Sequence, residues 1–180
     1  MSTWIALFRG INVGGRNILP MKELVTMLER IGCSSVRTYI QSGNVVFEED
    51  ATPAQELSRR ISEAVSSCRG FEPKVMLLKA SELKRILREN PYKEAEAEPK
   101  TLHVSFLSDD PKSARLDEMN QLKSDSEEFS LTPRAFYLHA PDGVGRSKLA
   151  AKAEKLLGVA ATSRNWRTAC KLLALTEVQN

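Results

Sequence analysis

Between residues 3 and 79 the apolar side chains change period in a fixed order, and that order restricts the fold more than any other feature of the sequence. TWIALFR (3–9) is a short apolar run that ends in the glycine-rich GINVGG, the pattern of a buried strand entering a loop. After Pro20, the residues Met21, Leu24, Val25, Leu28 and Ile31 recur at helical spacing up to Gly32. VRTYIQ and NVVFE then flank Ser42-Gly43, a two-residue hairpin signal. Leu57, Ile61, Ala64 and Val65 mark a second helix over 53–68, and PKVMLLK (73–79) a fourth strand. The order βαββαβ predicts an α+β, ferredoxin-like split βαβ unit with an antiparallel sheet and two helices on one face.

A similar order recurs downstream. A helix at 81–88 and the acidic linker PYKEAEAEPK lead to the strand TLHVSFL, a helix near 112–122, short strands around Phe129 and Phe136, and a helix over 147–157. No strand signal closes this series. The second half therefore reads βαββα, with its last strand missing or replaced by a helix over 164–175. The expectation is two tandem ferredoxin-like halves, 1–80 and 81–180, with the linker near 91–100 and extra helices at the C-terminus. A single larger mixed sheet is the alternative.

With 42% hydrophobic and 27% charged residues, the composition is that of an ordinary globular chain, which excludes disordered, collagenous and disulfide-scaffold classes. No apolar run approaches the roughly 20 residues that span a bilayer, and Arg9 interrupts the N-terminal one, so neither signal peptide nor membrane anchor is expected. Cys33, Cys68 and Cys170 are odd in number and widely spaced, which suggests a reducing cytoplasm and no zinc site. Nothing in the sequence indicates a metal or cofactor. The net charge of +3 is small but unevenly spread. Residues 93–130 carry five basic against ten acidic side chains, whereas 134–171 carry eight basic against two acidic. Either the blocks neutralise each other or the second is an anion-binding face.

Three segments could carry chemistry. RGINVGGRN (9–17) has the GxxxxG spacing of a phosphate loop, but Arg16 and Asn17 stand where Lys and Ser or Thr would be needed, and the helix begins only at Pro20. What remains is a loop in which Arg9, Asn12, Gly14, Gly15 and Arg16 could surround an anion. In the hairpin, a two-residue loop pairs Gln41 with Asn44, Tyr39 with Val46 and Arg37 with Glu48 on one sheet face. Val36, Ile40, Val45 and Phe47 then point toward the core. An open face of this kind, with Ser42 at its rim, is what RNA-recognition modules use, although Tyr39 stands alone here. TSRNWRTACKLLAL (162–175) reads as a helix capped by Thr162 or Ser163, with Trp166, Ala169, Cys170 and Leu173 inward and Arg164, Thr168 and Lys171 on a neighbouring face. His103 and His139 sit in apolar strand-like runs, where a structural role is the commoner one.

ALFRGINVGG, VRTYIQSGNVVF and TSRNWRTACKL resemble the bacterial family called domain of unknown function 1697. Pro20-Met21, Asn90-Pro91-Tyr92 and YLHAPDGVGRSKL resemble it as well. The resemblance implies a two-unit α+β fold and no established activity. It places the motif positions at Arg9, Gly10, Asn12, Gly14, Gly15, Arg37, Thr38, Tyr39, Gln41, Ser42, Gly43, Asn44, Arg164, Asn165, Trp166 and Thr168. Phe8, Ser163 and Arg167 depart from its usual residues. The candidate ligand set is therefore Arg9, Asn12, Gly14, Gly15, Arg16, Arg37, Tyr39, Gln41, Ser42, Asn44, Arg164, Asn165, Thr168 and Lys171. The expected partner is a phosphate-bearing small molecule or single-stranded nucleic acid. The alternatives are a homodimer formed through the hairpin face and an enzyme acting on a small phosphorylated substrate.

Overall fold

A computed structural model describes residues 1–50 and 52–178. The first sheet is built by β1 (Ser2–Arg9), β2 (Ser34–Tyr39), β3 (Asn44–Glu49) and β4 (Lys74–Lys79), in the order β2-β3-β1-β4 with every neighbouring pair antiparallel. Helices α1 (Met21–Arg30) and α2 (Ala54–Arg69) are its two crossings. Residues one face of the strands presents, Trp4, Ala6, Phe8, Val45 and Phe47, pack with Leu24 and Leu28 of α1 and Leu57, Ile61 and Val65 of α2. The other face is closed too, because Ile5, Leu7, Val46 and Leu78 have no exposed surface. A strand buried on both faces reads as a continuous apolar run, which is why TWIALFR shows no alternation.

The second sheet repeats the order as β6-β7-β5-β8, from β5 (Leu102–Leu107), β6 (Glu128–Leu131), β7 (Ala135–His139) and β8 (Ala161–Asn165). Helix α3 (Ala80–Arg88) precedes β5, α4 (Leu116–Leu122) and α5 (Lys148–Leu157) lie between the strands, and α6 (Trp166–Glu177) follows β8. Leu107, Phe136 and Leu138 pack with Met119 of α4 and with Leu149, Leu156 and Leu157 of α5. The chain divides into a first unit, Met1–Lys84 with Lys171–Asn180, and a second unit, Arg85–Cys170. Two tandem α+β halves with separate four-stranded antiparallel sheets thus replace the single-sheet alternative.

Four local expectations are corrected. β8 exists where no strand was expected, because ATSRN is a short edge strand whose polar side chains give no apolar alternation. As a result α6 starts at Trp166, where Asn165 Oδ1 accepts the Thr168 N–H at 2.9 Å, so the cap is Asn165 and neither Thr162 nor Ser163. Trp166, Ala169 and Leu172 are buried, whereas Cys170 is exposed, so the inward stripe lies one position from that expected. The hairpin turn has four residues, Ile40 to Gly43, and pairs Tyr39 with Asn44 and Arg37 with Val46. Asn44 Nδ2 closes it by donating to the Tyr39 carbonyl at 3.2 Å. The two-residue slip preserves side-chain parity, but it moves Ile40 from the core into the turn, where φ is 51° and the side chain is 52% exposed. The linker 91–100 is ordered. Its 3₁₀ turn Glu94–Ala97 is tied down by Asn90, which donates to Glu96 at 2.8 Å.

Candidate functional site

In the first unit, β1 delivers Arg9 into a loop held by its own asparagines. Asn12 Nδ2 donates to the carbonyls of Leu19 (2.9 Å) and Gln41 (2.7 Å), while its Oδ1 accepts the Leu19 N–H at 2.7 Å. Asn17 Nδ2 donates to the Gly10 carbonyl at 2.8 Å. Val13 and Arg16 bracket a tight turn in which Gly14 and Gly15 have φ of 58° and 73°, the positive pair that a type I′ hairpin requires. The glycines therefore serve a projecting hairpin tip, and α1 begins only behind the extended Pro20. No helix N-terminus receives this loop, so the phosphate-loop geometry is absent from it.

The hairpin residues are placed in the same way. Asn44 is fully buried and donates to Tyr39 and to Ser42 Oγ. Gly43 has φ of 72°, and a Cβ there would fall 2.5 Å from Phe8 Cβ. Arg37 donates to the Val178 carbonyl, and its Nε is buried with no partner. Arg37, Tyr39 and Asn44 share the sheet face of Val46; Val46 and Asn44 have no exposed surface, whereas Arg37 and Tyr39 are half-buried. Arg16, Gln41, Ser42 and Lys171 are exposed, and Arg9 is half-buried. In the second unit, Arg164 lies on β8 and donates to the Ser163 carbonyl, Asn165 caps α6, and Thr168 is 4% exposed. Asn12, Asn44 and Asn165 thus spend their side chains on holding the fold.

The second unit contains recesses lined by none of the candidate ligand residues. Where α4 ends and α5 begins, a cleft of about 420 Å³ is lined by Lys123, Glu127, Asp142, Arg146, Ser147 and Lys148. Ser147 caps α5, its Oγ accepting the Ala150 N–H at 2.9 Å, and no acidic residue occupies the first turn of that helix. Arg146 and Lys148 are exposed and, among the described residues, form no ion pair. The carboxylates are engaged: Glu127, 5% exposed, accepts the Ser124 N–H at 2.9 Å, and Asp142 accepts the Ser126 hydroxyl at 2.6 Å. Two cations stand at the positive end of a helix dipole with no acid in the first turn, while Glu127 and Asp142 keep their negative charge in the same lining. The sequence signal was the Ser147 cap between Arg146 and Lys148.

The groups whose acidity burial moves do not line this cleft. Burial pushes the Cys33 thiol up to about 11, with the Glu49 charge adding to the rise. It also lowers the pKa of His103, whose Nδ1 is buried without a partner, and raises that of Tyr137, whose hydroxyl donates to the Ile86 carbonyl at 2.7 Å. No helix among the described residues is long and apolar enough to cross a membrane.

The family profile described as a protein of unknown function (DUF1697) matches residues 1–137. The TSRNWRTACKL segment lies beyond the matched span. A conserved bacterial protein from Streptococcus pneumoniae, SP0830, has a similar structure, with a TM-score of 0.68 over 98% of this chain and 99% of its own, at 22% identity. That similarity is one of fold. Among curated proteins no relative matches the chain.

Proposed function

The chain belongs to the DUF1697 family of proteins of unknown function, and from that premise we propose that it binds a phosphate-bearing anion in the second-unit cleft where Arg146 and Lys148 meet the start of α5. The observation that carries this reading is a recess of about 420 Å³, within the range of small-molecule sites, with unpaired cations beside a helix N-terminus. An anion placed there offsets the unfavourable position of Lys148 in the first turn. It also takes charge-assisted hydrogen bonds from two side chains that have no other partner. Asp142 and Glu127 limit the site to ligands whose hydroxyl or amino groups can face a carboxylate, which favours a phosphorylated sugar or nucleotide over bare phosphate.

A second reading puts the anion at the first-unit loop, where Asn12 braces a projecting tip and Arg16 is exposed with no ion pair among the described residues. Arg9, Gln41 and Ser42 would complete that site. A thermal-shift series with phosphate, pyrophosphate and AMP separates the two, because a ligand at one hundred times its Kd adds about 2.7 kcal/mol. The R146Q/K148Q double variant should lose the shift and R16Q should keep it. The opposite pattern moves the site to the loop. The absence of a shift with all three ligands refutes both readings in favour of a protein-interaction module.

A further inference from the structure

Resting on the α5 cleft as an anion site, we propose that its ligand is a segment of single-stranded nucleic acid whose phosphodiester backbone runs along α5 across two adjoining clefts. The second cleft, of about 390 Å³, is lined by Arg115, Lys152 and Lys155 and shares Gln121 and Leu122 with the first. Lys148, Lys152 and Lys155 stand at i, i+4 and i+7 and are exposed, while Leu149, Ala153, Leu156 and Leu157 bury the opposite face of the helix. At 1.5 Å rise per residue they mark out positions about 6 and 10 Å along the axis from the first. A single phosphate fills only the cleft at the helix start, yet the row of cations continues past it.

The charges are poorly matched from within. Among the described residues Lys148, Lys152 and Lys155 form no ion pair. Glu154, the acid nearest to them on the helix, accepts the Ala161 N–H at 3.1 Å. Of the facing carboxylates, Glu118 pairs with Arg115 at 3.1 Å, and Glu127 and Asp142 are engaged as described above. Lysines at i, i+4 repel one another by a few tenths of a kcal/mol, a cost that a string of phosphates reverses. The recesses select for single strands, since each admits an individual nucleotide whereas a duplex presents a stiff cylinder. Gln121, on the divide, offers an amide to a base or sugar edge.

The test uses the full chain, a labelled twelve-nucleotide oligothymidine followed by fluorescence anisotropy across a salt series, AMP followed by calorimetry, and poly-glutamate as competitor. The oligonucleotide should bind at least tenfold more tightly than AMP. In K152Q/K155Q the slope of log affinity against log salt should fall by about 1.4, at roughly 0.7 for each phosphate contact on a single strand, with AMP binding unchanged. R146Q/K148Q should weaken both ligands. Circular dichroism melting would show that these exposed positions leave the fold intact. An unchanged slope and affinity in K152Q/K155Q overturns the extended site while AMP binding preserves the cleft. Equal competition by poly-glutamate overturns it in favour of an acidic protein partner. Loss of AMP binding in the unmodified protein removes the cleft reading as well.

Discussion

Replacing Gly43 by alanine tests whether the hairpin turn is fixed by a close approach of two backbones. Gly43 has φ of 72°, and its carbonyl accepts the Phe8 N–H at 2.9 Å. An added Cβ would lie 2.5 Å from Phe8 Cβ and 2.6 Å from Ile11 Cδ1. Phe8 is on the central strand β1 and 1% exposed, so it cannot move aside without disturbing the core. The left-handed conformation costs alanine about 1–2 kcal/mol. Overpacking adds about 1–3 kcal/mol, and the reduced freedom of the unfolded chain returns about 0.4–1 kcal/mol. The expected net loss is about 1–4.5 kcal/mol, centred near 3 and a large part of a typical stability. Gly14→Ala is the control, because φ is 58° there but nothing lies within 4 Å of the added atom. It should cost about 1 kcal/mol or less. Urea unfolding followed by Trp4 fluorescence in a Trp166→Phe background reports the first unit alone, since the sequence has two tryptophans. If Gly43→Ala and Gly14→Ala lose equal stability, the contact with Phe8 and Ile11 is not what requires glycine, and the reasoning fails.

Other consequences follow from single side chains. Asn12→Ala removes three hydrogen bonds that join the loop to Leu19 and Gln41, and should cost about 1–3 kcal/mol with faster amide exchange at Leu19. Tyr137→Phe leaves the Ile86 carbonyl without its buried donor, which should destabilise the second unit by about 1–2 kcal/mol in urea unfolding. Cys33 is held protonated by burial up to about 11. The unfolded thiol therefore releases its proton first as pH rises, so stability is fully present below about 9, the usual thiol range, and falls between there and about 11. Cys33→Val should flatten that fall relative to the unmodified chain, and identical slopes would sink the assignment.

The order of elements was legible in the sequence because period depends on which faces a strand or helix buries, and burial leaves its mark residue by residue. The run at 3–9, the stripe from Met21 to Leu28 and the four-residue spacing of Leu57, Ile61 and Val65 each appear in the element expected. The strand β8 was invisible, since an edge strand needs only backbone hydrogen bonds from β5 and carries polar side chains outward. The hairpin register was likewise a tertiary outcome. Ser42-Gly43 marks a turn, but its length was decided by the approach of Gly43 to Phe8 and Ile11, residues more than thirty positions away. Among the candidate site residues, sequence picked out asparagines, glycines and arginines by type. Folding then gave Asn12, Asn44 and Asn165 structural hydrogen bonds and left Arg37 and Tyr39 half-buried beside the buried Val46. The basic block is countable in the sequence. Its gathering along one side of α5, over recesses bounded by α4, depends on which helix faces pack on the sheet, and that is settled only when distant apolar residues meet in the core.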